Sequence, residues 1–211
     1  VRSLVIGLGY SILLHFWLPG MSLFLVSLSV IALERLTSEI YKFFIRKQGT
    51  KKYRIPANLS STKIFFRRLF GVFLVALLIF IFYRVPFVGL LENYWVLTLT
   101  AGFLYALIGY AKDIAIEKLD LVKFLRSPIL AIVAGIIVYF AFPALPGDIF
   151  LLSTIGLERI FSGFYRKVLK RDLPSKFQGQ KEAPAWRDNR KYLLIFYCLD
   201  IACLALLFLI K

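Results

Sequence analysis

The chain has 211 residues, 60% of them apolar, with a mean hydropathy of +0.77 and 27 Lys+Arg against 12 Asp+Glu. Soluble domains run near 45–50% apolar, so this composition excludes a soluble globular domain and equally a disordered, coiled-coil or collagen-like chain. Two cysteines exclude a disulfide scaffold, and a single His without a CxxC pair excludes a His/Cys zinc site or a bis-His haem. What remains is an all-α, polytopic integral membrane protein.

Seven apolar stretches follow in chain order: about 3–18, 21–44, 64–83, 87–111, 127–142, 147–168 and 191–210. Several have apolar cores shorter than the ~20 residues needed to cross a bilayer, so each helix is expected to continue into its polar end. Pro19-Gly20 separates the first two stretches, Pro86 the third and fourth, and Pro143 with Pro146 the fifth and sixth. Proline cannot continue a helix interior, so each break predicts a tight helical hairpin. The first stretch does not read as a cleavable signal peptide, because it lacks a basic leader beyond Arg2 and a small-residue cleavage site.

Charge sets the expected orientation. Nine basic residues lie between Lys42 and Arg68, four between Lys112 and Arg126, and nine between Arg166 and Lys191. These segments alternate with the proline turns, where Arg84 is the only basic residue. The positive-inside rule then predicts cytoplasmic basic loops, a cytoplasmic N-terminus, an external C-terminus and a place in the cell membrane. The net charge of +15 is thereby read as topogenic and lipid-facing, with no nucleic-acid partner.

The chain also repeats itself. Glu34-Arg35-Leu36-Thr37-Ser38-Glu39-Ile40-Tyr41-Lys42 returns as Glu158-Arg159-Ile160-Phe161-Ser162-Gly163-Phe164-Tyr165-Arg166, at an offset of 158 − 34 = 124. Pro19 and Pro143, Arg2-Ser3 and Arg126-Ser127, and Leu33 and Leu157 keep the same offset. The pattern predicts two parallel repeats. The first, four-helix repeat covers 1–111, a cytoplasmic interfacial linker covers 112–126, and a three-helix second repeat covers 127–211.

Within the motif, positions 34, 38, 41 and 42 share one helical face. Glu34, Ser38, Tyr41 and Lys42 form a polar stripe, and Glu158, Ser162, Tyr165 and Arg166 form its twin. A helix starting near Met21 carries Glu34 about 20 Å along its axis, still inside a hydrocarbon core about 30 Å thick. Charges at that depth cost ~2.5–3.5 kcal/mol on insertion scales, so they are expected to face the bundle interior or a wet cavity. Adjacent helical residues point ~100° apart, so Glu34 and Arg35 are each expected to reach a partner on another helix. Asp200, midway along the last stretch, needs a partner, and Arg35 or Arg159 is the candidate. Asp113, Glu117 and Asp120 share a face at the end of the fourth stretch, a spacing that could hold Mg²⁺, but interleaved Lys112, Lys118 and Lys123 point instead to a solvated interfacial helix. No metal site is assigned, and no cofactor.

The layout resembles the UbiA superfamily of intramembrane prenyltransferases. In that family repeated helix pairs carry motifs at the cytoplasmic ends of the second and sixth helices, each followed by a long basic loop. Arg54-Ile55-Pro56-Ala57-Asn58-Leu59-Ser60 is similar to the family's Arg-Pro-x-x-Ser-Gly-x-Ile-Ser stretch. The family's aspartate motif binds Mg²⁺ on a substrate diphosphate; here the matching positions read Glu34, Arg35, Ser38 and Lys42, and Glu158, Arg159, Ser162 and Arg166, with no aspartate. What the resemblance implies is a cytoplasm-facing cavity for an anionic lipid or isoprenoid phosphate. Arg35, Arg54, Arg159, Lys42 and Arg166 would contact the phosphate, and Ser38, Ser162, Tyr41, Tyr165 and Asp200 would line its site. Glu34 and Glu158 would orient them or act as a base, whether or not a prenyltransferase-like reaction follows. Two other readings stand beside it: a non-catalytic subunit or scaffold that docks partner subunits, and a small transporter coupling protons through Glu34, Glu158 and Asp200.

Overall fold

The computed structural model describes residues 2–44, 65, 68–69, 71–73, 75–76, 93–113, 121–165 and 190–209. These residues are helical apart from short turns. The helices are α1 (Arg2–Trp17), α2 (Leu23–Phe44), α3 (Tyr94–Asp113), α4 (Leu121–Ala141), α5 (Gly147–Phe164) and α6 (Arg190–Leu209), with further helical positions between 65 and 76. Among the described residues there is no strand. The chain is all-α, as its composition predicts.

Local chemistry sets the helix ends. Gly20 holds φ at +86°, a conformation that L side chains rarely adopt. The Met21 amide donates to the Leu18 carbonyl across this turn, and Ser22 Oγ accepts from the Leu25 amide as the N-cap of α2. Asn93 caps α3 in the same way, its Oδ1 accepting from the Trp95 amide at 3.0 Å. The fourth stretch was expected from 87; its helix starts at Tyr94, and 87–92 lie outside the described residues. In the other direction, α4 starts at Leu121 rather than 127. Residues 121–126 of the expected linker are therefore helical and continuous with the span, because their apolar side chains extend its periodic pattern. Pro128 lies within α4, and Gly102 packs against it.

The helices pack through small residues. A Cβ at Gly156 would collide with the Leu28 carbonyl, so α2 and α5 meet backbone to backbone. A Cβ at Gly135 would collide with Thr98, and one at Gly102 with Pro128 and Ala131, so α3 lies equally close to α4. The resulting core holds Leu28, Leu97, Val138, Phe150, Leu151 and Ile155. At one end, Tyr94 of α3 donates towards the Pro143 and Leu145 carbonyls of the α4–α5 turn. α6 joins through Phe208, whose ring lies against Phe24 and Phe142.

The outward faces are apolar. Leu4, Leu8, Phe16, Trp95, Ile129, Phe140 and Leu206 are all exposed. Among the described residues, Phe124–Ala141 is the one segment long and apolar enough to cross a membrane, with Ser3–Trp17 and Tyr94–Ile108 as shorter apolar helices. α2 carries Glu34, Arg35, Glu39 and Lys42, and α5 carries Asp148, Glu158 and Arg159, which breaks their apolar runs.

α1 is fastened to α2 by a polar contact, Tyr10 Oη to Thr37 Oγ1 at 2.6 Å. A buried hydrogen bond contributes about 1 kcal/mol net. Tyr10→Phe is expected to lower the unfolding midpoint in detergent by about 2–4 °C, and Tyr10→Phe with Thr37→Val by little more, measured by differential scanning fluorimetry.

Candidate polar site between the motifs

The first motif falls on α2, and the second, as far as the described residues reach, on α5 and the residue after it; the two helices pack directly on each other. The offset residues share environments. Ser29 and Ser153 are each 0% exposed, Ser38 and Ser162 are both buried, and Tyr41 and Tyr165 are both half-buried. Ala32, packed without exposure on α2, has Gly156 as its counterpart on α5.

On α2 the polar side chains pair by helical spacing. Ser38 Oγ donates to Glu34 Oε1 at 2.8 Å, and Arg35 forms an ion pair with Glu39 at 2.5 Å. Both are i,i+4 contacts, the spacing at which side chains on one helix meet. Arg35 also crosses to α3, where its Nε donates to Tyr105 Oη at 2.8 Å. The expected inter-helix partner of Arg35 is thus present, as Tyr105. Glu34, expected to reach another helix, instead accepts from Ser38 on its own.

Glu39 and Tyr105 are the two residues that sequence reasoning passed over. Glu39 is 2% exposed and holds Arg35, yet its counterpart at the 124 offset is Gly163, so it fell outside the repeated set. Tyr105 lies in an apolar run with nothing in its neighbours to single it out. The fold makes it the meeting point: its phenol lies in the fields of Arg35 and Glu39 from α2 and of Arg159 and Glu158 from α5. Glu158 is 1% exposed. Arg35 of the first motif thus bonds this phenol, and Arg159 and Glu158 of the second act on it electrostatically in the bundle interior.

The second motif differs in its arginine. Among the described residues, Arg159 Nη1 is buried without a hydrogen-bond acceptor. Arg126 Nε is in the same condition, and the Arg126 guanidinium stands over the Tyr165 ring at 5.8 Å. The remaining sequence candidates are placed only in part. The side chains of Lys42 and Asp200 lie outside the described residues, as do Arg54, Glu117, Asp120 and Arg166 entirely. The described partners of Arg35 are Glu39 and Tyr105. Among the described residues no group of three or more His, Cys, Asp or Glu could hold a metal ion.

The arrangement is a polar island of three carboxylates, two motif arginines and a phenol within an apolar bundle. It can hold an anion through arginine donors, or lock helices through ion pairs. No family model matches the chain, and neither a curated protein nor a solved structure is similar to it.

Proposed function

We propose that the chain is a multi-pass membrane protein whose central polar site binds an anionic lipid or isoprenoid phosphate from the cytoplasmic side. The observation that carries this reading is a buried polar cluster in an otherwise apolar bundle: Arg35 bonds Tyr105, and Arg159 and Glu158 lie in the field of the same phenol. Charges are retained at such depth when they line a ligand or ion path or pair with one another. The exposed apolar faces of α1 and α4 supply the lipid-facing surface. In this reading about seven spans form two parallel repeats, as in the UbiA layout, with the motifs near the cytoplasmic side. The arginines hold the anion, Ser38 and Ser162 donate hydrogen bonds, and Glu34 and Glu158 orient the cations or take a proton if a reaction follows.

One observation favours a second reading, a non-catalytic scaffold. Arg35 is satisfied by Glu39 and Tyr105 within the protein itself. Native lipid extraction and mass spectrometry of the purified chain separate the two. An enriched phosphate-bearing amphiphile, lost in Arg159→Gln, supports binding. A lipid profile equal to that of the bulk membrane supports the scaffold.

Topology has its own test. In a chain with Cys198 and Cys203 replaced by Ala, single cysteines at Gln48 and Gly179 are expected to stay unlabelled by an impermeant thiol reagent in intact cells. A cysteine placed next to Pro86 is expected to label. Labelling at Gln48 from outside reverses the proposed orientation.

A further inference from the structure

The two motifs differ at one chemically decisive position. In the first, Arg35 meets the carboxylate of Glu39 four residues on. In the second, the residue four beyond Arg159 is Gly163, which is buried and carries no side chain. The repeated pattern thus keeps the guanidinium and deletes its helical carboxylate. Arg159 Nη1 is buried without an acceptor among the described residues, whereas Arg35 is engaged on two sides. A guanidinium cannot lose its proton in a protein, so its buried donors call for oxygen acceptors.

We infer that the second motif is an anion subsite, in which an oxygen of the ligand head takes beside Arg159 the place that the Glu39 carboxylate takes beside Arg35. Arg126, whose Nε is a second buried donor without a described acceptor, stands over the Tyr165 ring just beyond α5. The site is asymmetric: at the first motif Arg35 already carries the Glu39 carboxylate, so the ligand head is held chiefly at Arg159. Glu158 and Glu39 lie in the field of the same phenol as Arg159, so the surroundings are already rich in negative charge. The subsite therefore suits a single phosphate or carboxylate head, with planar oxygen pairs matched to a guanidinium fork. This deepens the proposed function and rests on it for the lipid source of the head; the anion subsite itself rests on Arg159 and Gly163.

The test uses the purified full-length chain in neutral detergent. Three probes are titrated by microscale thermophoresis: dioctanoyl phosphatidic acid, inorganic phosphate, and dioctanoyl phosphatidylcholine as a head without net charge. Wild type is expected to bind phosphatidic acid at one equivalent and phosphatidylcholine at least tenfold more weakly. Gly163→Glu restores the missing carboxylate and is expected to weaken phosphatidic acid at least tenfold, as is Arg159→Gln. Gly163→Ala adds bulk without charge and is expected to bind within threefold of wild type. Binding by Gly163→Glu or Arg159→Gln at wild-type strength overturns the subsite. So does a loss in Gly163→Ala equal to that in Gly163→Glu, which would mark a steric effect. If Gly163→Glu does not fold, judged by size exclusion, Arg159→Gln and Gly163→Ala decide alone. Equal affinity for inorganic phosphate and phosphatidic acid upholds the subsite and removes its lipid source, so the proposed function fails while the inference stands. Lipid binding that ignores Arg159 and Gly163 has the opposite meaning: the function stands and the subsite falls. Absence of binding by every anionic probe overturns both.

Discussion

Arg35→Gln is expected to lower the unfolding midpoint in detergent by about 10 °C. The substitution leaves Glu39, 2% exposed, without the cation that pairs with it, and removes the donor that ties α2 to Tyr105 of α3. Breaking a buried pair by removing one partner costs about 3–5 kcal/mol, because a charge is stranded in a medium that solvates it poorly. Glu39→Gln is expected to fall by a similar amount, since it strands Arg35. The double replacement Arg35→Met with Glu39→Leu is expected to recover most of the loss, as apolar replacements of buried pairs are often neutral. Tyr105→Phe loses only the hydrogen bond, about 1–3 kcal/mol for a bond to a charged group. Circular dichroism melts of these four variants check the scheme. A wild-type midpoint for Arg35→Gln would show that Arg35 and Glu39 are solvated.

The second large effect concerns the contact between α2 and α5 at Gly156. Gly156→Ala introduces a Cβ into the Leu28 carbonyl, which belongs to a helix backbone and cannot rotate aside. Alanine is otherwise favoured over glycine in a helix by about 1 kcal/mol, so the intrinsic preference and the packing oppose each other. Overpacking that moves backbone costs about 1–3 kcal/mol or more. Gly156→Ala is therefore expected to lose about 2 kcal/mol net, and Gly156→Leu to fail to yield monodisperse protein. Gly9→Ala is the control: its Cβ meets nothing within 4 Å, and it is expected to be neutral or stabilising. A Gly156→Ala variant that melts above wild type would show that α2 and α5 are not in backbone contact. The same contact bears on the site, because it sets the distance between the helices that carry the two motifs, Arg35 on α2 and Arg159 on α5.

The motif residues were recognisable before any fold was known, but their pairing was not. Glu34 and Ser38 meet by i,i+4 spacing, which the sequence displays. Arg35 and Glu39 meet by the same rule, yet Glu39 lies outside the repeated set because Gly163 stands at its offset. That mismatch is the feature that distinguishes the two arginines. The helix boundaries were legible within a few residues at Pro19-Gly20 and Pro143, where proline and glycine chemistry is local. They were less so at Leu121, where apolar periodicity runs through charged residues without a stop signal.

By itself the sequence determined the all-α class, the turns at Pro19-Gly20 and Pro143, the doubled motif and the spacing of side chains along each helix. Each of these depends on residues within a few positions of one another, or on a direct match between two segments. Only the tertiary structure decided that Tyr105, 70 residues from Arg35, is the acceptor that takes the Arg35 donor across from α2 to α3. It also decided that Gly156 rather than a larger residue sets the distance between α2 and α5. An isolated helix defines which residues share a face, but not which neighbour that face meets or at what rotation. That choice follows from how closely the small residues of several helices let their backbones approach, a property of the packed bundle and of no single segment.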